Sequence, residues 1–131
     1  MSWSRDVAAR TLWQECRGEP VEGQKAVAHV ILNRQKTGRW GNNLASVCLW
    51  PHQFSGWSSP TDPNFKAACG LADDDPTLLK MHNILDVASV EADFTNSATH
   101  YFATYIADPA WVKGATFCGQ FGKQKFYKDV R

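Results

Sequence analysis

Apolar positions recur at helical spacing over the first third of the chain. Val7, Ala8, Leu12 and Cys16 share one stripe of a segment running roughly from Arg5 to Cys16. Ser4 is the expected N-cap, Asp6 sits in the first turn where an acid suits the helix dipole, and Gly18 is the expected stop. Pro20 suits the first turn of a second helix, in which Val21, Ala26, Val27, Val30 and Ile31 are apolar around much of the circumference until Gly38. This second helix is therefore expected to be central and buried. The stretch from Gly41 to Pro60 mixes a short possible helix with an aromatic loop rich in Gly, Ser and Pro. Asp62-Pro63 opens a third helix over about Asn64 to Ala72, and Asp75-Pro76 a fourth reaching about Asp93, with Leu78, Met81, Leu85, Ala88 and Ala92 on one face. After Asn96 the pattern changes. "ATHYFATYI" and "TFCGQFGKQKFY" are aromatic, β-prone and broken by Asp-Pro and Gly, which predicts short strands or ordered loops. The expected class is mainly α (α+β), with a few short strands near the C-terminus.

At 131 residues the chain is expected to form one domain over residues 1–131. Fourteen Lys+Arg against thirteen Asp+Glu leave a formal charge of +1, so no strong field points to nucleic acid or an anionic membrane surface as partner. The N-terminal "MSWSRDVAAR" lacks a basic region followed by a long apolar one, so no signal peptide is expected. The longest apolar run, "AVAHVIL", is far shorter than the roughly 20 residues that span a bilayer. A monomer is expected, without membrane insertion, accumulating in the cytoplasm. Cys16, Cys48, Cys69 and Cys118 are widely spaced with no Cys-x-x-Cys, which favours free thiols over a zinc knuckle or a disulfide scaffold. No ordered His/Asp/Glu pattern resembles a zinc site, so neither a metal nor another cofactor is expected.

Candidate chemistry concentrates in "LWQECRGEP", Leu12 to Pro20, where Glu15 and Glu19 flank an arginine and a glycine at the end of the first helix. Glu15 lies in the last turn, beside Thr11 and Leu12, so partly apolar surroundings and the negative end of the dipole both disfavour its ionised form. A glutamic acid kept protonated near neutral pH can act as a general acid. Arg17 opposes this if its guanidinium reaches Glu15, and the sequence leaves its direction open. Glu19 precedes Pro20 at the start of the second helix, where free N–H groups stabilise an anion; it is expected to cap or brace. Two solvated charges at a helical corner would have the same spacing.

The company these residues keep raises the specificity. "ARTLWQECRGEPVEGQKAVAHVILNR" resembles the first block of the SleB/CwlJ-type cell-wall hydrolase family, known from spore-cortex lytic enzymes and phage or prophage endolysins. The block reads Ala-Arg, then Glu-x-Arg-Gly-Glu-Pro, then Glu-Gly-Gln and an apolar helix ending Val-x-x-Asn-Arg. The likeness continues through "QFSGW", "ATHYF", "PAW" and "KFY", and so spans nearly the whole chain. It implies a lysozyme-like fold related to lytic transglycosylases and, carried over by position, Glu15 as the catalytic glutamate. The implied reaction is cleavage of the β-1,4 bond between N-acetylmuramic acid and N-acetylglucosamine in bacterial peptidoglycan glycan strands, as an endolysin released through a permeabilised inner membrane. As a transglycosylase one carboxylate suffices, because the muramoyl 6-hydroxyl replaces water. Simple hydrolysis usually takes a second carboxylate, for which Glu19, Glu22 and Asp62 are the candidates. Where relatives commonly carry His before the closing Phe-Tyr, this chain has Gln124 and Lys125, and Gln14 stands where a glycine is usual.

The resemblance implies further cleft residues. Gln53, Phe54 and Ser55 offer an amide, an aromatic face and a hydroxyl to N-acetyl and ring hydroxyl groups. Tyr101 can orient Glu15 or stabilise an oxocarbenium-like transition state, with a core tyrosine as the equal alternative, and His100 is placed beside it. Trp57 and Trp111 are sugar-platform candidates, while Trp13, Trp40, His29 and His82 are expected to pack. Two rival readings remain: a thiol enzyme using Cys16 with His100 as base, which the helix C-terminus disfavours, and a peptidoglycan-binding module without catalysis.

Overall fold

The computed structural model describes residues 2–131. Its helices are α1 (Trp3–Cys16), α2 (Val21–Thr37), α3 (Leu44–Leu49), α4 (Pro63–Gly70) and α5 (Pro76–Val90), with single 3-10 turns at Ser55–Trp57 and Ala110–Val112. Three short strands follow the helices: β1 (His100–Ala103), β2 (Thr116–Phe121) and β3 (Gln124–Lys128). They form one antiparallel sheet in the order β1-β3-β2.

The helix ends show which local chemistry won. Ser2, not Ser4, caps α1, its side chain accepting from the Arg5 N–H. Ser4 is used differently: its hydroxyl accepts from the Ala45 N–H at 2.8 Å and ties the start of α3 to α1. The end of α1 falls at Cys16 as the pattern indicates, but Gly18 is not among the residues with positive φ, so no left-handed cap is made there. Gly38 does make one, at φ 74°, with its N–H bonded to the Gln35 carbonyl. Asp62 caps α4 through the Asn64 N–H, whereas Asp75 accepts only from the Thr77 hydroxyl. The last long helix ends at Val90, three residues short of expectation. Asp93 is the cause: its carboxylate accepts from the Thr95 N–H and hydroxyl, the Ser97 N–H and the Asn33 amide, which needs a turn rather than another helical residue.

α1, α2, α3 and α5 enclose the main core. Ala8, Ala9, Leu12, Val27, Val30, Ile31, Leu78, Met81 and Leu85 are all fully buried, and α2 is central as its pattern predicts. His29 and His82 pack as structural groups, bonded to Glu91 and Asp6. The sheet joins this core by one face: Phe126 of β3 is fully buried and stacks on Tyr101 of β1, its register partner. Side chains alternate along a strand, so Phe102 and Tyr127 face the other way and form a second, smaller cluster with Trp111 and Val130. No helix of the described residues is long and apolar enough to cross a membrane.

Candidate active site

The C-terminal turn of α1 meets the edge of the sheet at Glu15. The Tyr101 hydroxyl, carried inward by β1, donates to Glu15 Oε1 at 2.6 Å. Burial pushes the Glu15 carboxyl above the ordinary glutamate range, and the Tyr101 hydrogen bond and the Arg34 charge, which both favour the anion, do not cancel that effect. Burial, with the adjacent Glu15, also holds the Tyr101 phenol well above its usual value, so it stays a neutral donor. With Oε1 engaged, Oε2 is left to carry and donate a proton. Glu15 opens on a cleft of about 270 Å³ lined also by Cys16, Gly18, Glu19, Tyr105, Lys123 and Gln124.

Glu19 has a different occupation. Its Oε1 accepts from the Lys123 N–H at 2.8 Å, in the turn between β2 and β3, and so pins that hairpin to the start of α2. The turn is shaped for this contact: Gly122 has φ 62°, and a Cβ there would lie 2.8 Å from Glu19 Oε1. Glu19 thus braces helix to hairpin, although no side chain caps α2 itself.

Arg17 turns away from Glu15. Its guanidinium lies 3.9 Å from the Trp13 ring centroid and donates to the Trp13 carbonyl at 2.9 Å, so it satisfies the end of α1 instead of lowering the pKa of Glu15. The cation that does act on Glu15 is Arg34, from α2. It is buried between Trp40 and Phe54, at 4.7 and 5.3 Å from their ring centroids, with Nε donating to the Thr99 carbonyl at 2.7 Å. Burial lowers its pKa to about 10, which still leaves it charged at neutral pH. Among the described residues its Nη1 has no hydrogen-bond partner. Arg34 closes the Asn-Arg motif, the signal by which it could have been singled out.

The other expected cleft residues lie elsewhere. Phe54 is 3 % exposed and belongs to the main core, under Arg34. Gln53 is half-buried and Ser55 exposed on the loop after α3. Trp57 is held by its indole N–H on Thr11 Oγ1 at 2.9 Å and by an edge contact with Phe65. Phe54 and Trp57 line a second hollow, with Leu49, Trp50, Pro51, His52 and Ser58, which shares no residue with the Glu15 cleft. His100 and Trp111 lie apart from Glu15: strand alternation turns Tyr101 to Glu15 and His100 to the opposite face, against Trp40 and Trp111, and Trp111 packs on Phe102 and Tyr127. Burial and the charges of Arg34 and Arg39 hold His100 down to about 4, neutral at physiological pH.

That placement also removes the thiol reading. Cys16 donates to the Leu12 carbonyl, is buried, and has its pKa pushed up by burial and by Glu15 and Glu19. Its supposed base lies across the sheet. All four cysteines are free thiols, and burial takes Cys48 up to about 12.

The family model described as cell wall hydrolase matches residues 18–127. The chain belongs to the cell wall hydrolase family. Among curated relatives, the spore cortex-lytic enzyme of Oceanobacillus iheyensis is 29% identical over 128 residues, covering 93% of this chain and 40% of that protein. The spore cortex-lytic enzyme of Bacillus subtilis is 30% identical over 120 residues, 92% of this chain and 36% of that protein. This cell wall hydrolase domain thus spans about two-fifths of the length of these relatives. Among solved structures, the catalytic domain of the germination-specific lytic transglycosylase SleB from Bacillus anthracis superposes with a TM-score of 0.77 at 27% identity, covering 98% of this chain and 97% of that one. The catalytic domain of the Bacillus cereus SleB protein gives 0.76 at 27% identity, covering 95% and 89%. The mainly helical, lysozyme-like fold with a small three-stranded sheet is therefore shared with these domains. The family-model match begins three residues after Glu15, whereas the structural matches include nearly all of the chain.

Proposed function

We propose that this domain cleaves peptidoglycan glycan strands at the bond between N-acetylmuramic acid and N-acetylglucosamine, as a lytic transglycosylase with Glu15 as its single acid and base. The observation that carries the reading is the half-buried Glu15, raised in pKa, held by Tyr101 and open to a cleft. Protonated Oε2 gives its proton to the glycosidic oxygen as the C1–O bond breaks, and the Tyr101 hydrogen bond supports the carboxylate that results. The same carboxylate then takes the proton of the muramoyl 6-hydroxyl as O6 bonds to C1, so the proton lost in the first half returns in the second. The Bacillus anthracis SleB domain, described as a germination-specific lytic transglycosylase, supports this chemistry.

The disposition of the other carboxylates supports one acid rather than two. Glu19 is engaged by the hairpin, Asp62 caps α4, and Glu22 is exposed on α2. Purified sacculi test the proposal: the wild-type domain is expected to release soluble fragments and clear turbidity, and Glu15→Gln to adsorb without clearing. Adsorption without release by the wild type would make the domain a binding module. The wider role we propose is that of an endolysin, monomeric, held in the cytoplasm until the inner membrane is permeabilised. Expression in a bacterial host with and without a membrane-permeabilising partner tests it, with lysis expected only in the presence of both.

A further inference from the structure

The tryptophans expected as sugar platforms are committed to other contacts, Trp57 to Thr11 and Phe65 and Trp111 to the aromatic cluster behind the sheet. The exposed aromatic rings, taken one by one, leave a single candidate for that role at Glu15. Trp3 is 69 % exposed but borders an apolar hollow with Val7, Phe65 and Cys69, at the opposite end of α1. Trp50 lines the hollow after α3, Phe94 packs edge-on against His29 and Phe121, and Phe117 lies edge-on to Tyr127 on the far side of the sheet. Tyr105 is 80 % exposed and lines the Glu15 cleft.

Its position is fixed by the backbone rather than left to a mobile tip. The Thr104 N–H donates to the Lys123 carbonyl at 2.9 Å, extending the β1–β3 pairing by one bond, and the Ile106 N–H donates to the Ala103 carbonyl at 3.2 Å, closing a turn with Tyr105 inside it. The same hairpin turn is anchored by Glu19. One brace therefore sets both the Lys123–Gln124 wall and the aromatic ring beside it. A flat, wetted ring with an apolar face, next to the proton donor, matches the apolar C–H face of a pyranose, and its cost in side-chain entropy is small.

We infer that Tyr105 is the sugar-stacking residue of the Glu15 cleft, binding a saccharide ring of the glycan strand next to the bond to be broken. The inference rests on the proposed glycan-cleaving function and adds the residue that positions the substrate. Because stacking acts on the bound sugar in ground and transition states alike, it is expected to set KM rather than kcat.

The test compares Tyr105→Ala, Tyr105→Phe and Trp3→Ala in turbidity kinetics on purified sacculi, with circular dichroism to verify folding. Tyr105→Ala is expected to raise KM on the order of tenfold at nearly unchanged kcat. Tyr105→Phe and Trp3→Ala are expected to keep the wild-type values. A wild-type KM in Tyr105→Ala would overturn the inference, and so would a Tyr105→Phe defect as large as that of alanine, because the hydroxyl rather than the ring would then be the contact. Co-sedimentation with sacculi in a Glu15→Gln background reads binding without turnover: the alanine variant is expected to lose about the same factor there, and unchanged binding would contradict stacking. If wild-type protein released no fragments, the catalytic reading would fail by itself, while co-sedimentation would still decide whether Tyr105 holds the glycan.

Discussion

Glu15 works against its own surroundings. A carboxyl pushed up by burial is a better proton donor near neutral pH and a poorer contributor to stability once ionised, because the folded state then holds a desolvated anion. Glu15→Gln is therefore expected to lower kcat by about 10³-fold or more, in the range of lost general acid–base catalysis, and to raise Tm by a few degrees at neutral pH. Calorimetry alongside turbidity kinetics checks both halves. Tyr101 acts in the opposite sense on the same proton: its hydrogen bond favours the anion, so Tyr101→Phe raises the Glu15 pKa further. The alkaline limb of the kcat profile should move to higher pH, with a rate loss of about tenfold or less at the optimum. A limb that moved to lower pH would show that the bond favours the protonated acid.

At the scale of elements, the site depends on a helix end and a hairpin turn being held together. Gly122→Ala introduces a Cβ 2.8 Å from Glu19 Oε1 at a residue with φ 62°. It is expected to cost about 1–3 kcal/mol in urea unfolding and to weaken activity without touching Glu15. Elements are also where sequence reasoning succeeded most. The apolar stripe of α2, the Gly38 stop and the Asp62-Pro63 helix start were legible because each depends on neighbours within one or two turns. Glu15 and Glu19 were expected to differ on local grounds, at the end of α1 and the start of α2, but in the structure they differ through distant partners, Tyr101 for Glu15 and the Lys123 N–H for Glu19. What stayed hidden depends on strand phase and on pairings across the fold. Tyr101 and His100 are adjacent in sequence but face opposite sides of the sheet, and only the register of β1 against β3 decides which one meets Glu15. The burial of Arg34 against Phe54 and Thr99 likewise follows from contacts tens of residues away, whereas Arg17 is turned by Trp13 within its own helix.

Across the whole molecule, one helical core supports the cleft, and its charged groups divide by sign of pKa shift. For Asp93 burial works upward, but the hydrogen bonds from Thr95, Asn33 and Ser97 outweigh it and hold the carboxyl below its model-peptide value of 3.8. Asp6 behaves alike through Arg10 and His82, and Glu91 is held below 4.5 chiefly by Lys25. Their stabilisation is complete above those unperturbed values and is lost as pH falls through the lower folded ones. Unfolding free energy measured against pH should therefore fall on acidification below about pH 4, the region in which carboxylates held by native partners become protonated. Glu15 contributes in the other direction, favouring the fold at low pH and losing that advantage as pH rises through its elevated pKa. In the core, Leu12→Ala is expected to cost about 3 kcal/mol, since α1 is the element that carries Glu15 and Leu12 is fully buried beneath it.

The central claim is that one glutamic acid, Glu15, both gives and takes the proton while the substrate's own hydroxyl closes the ring. Mass spectrometry of the muropeptides released from purified sacculi tests it most directly. Wild-type protein is expected to leave 1,6-anhydro-muramoyl ends, and Glu15→Gln to release none. Reducing muramoyl ends from the wild type, or the same products from Glu15→Gln, would contradict it.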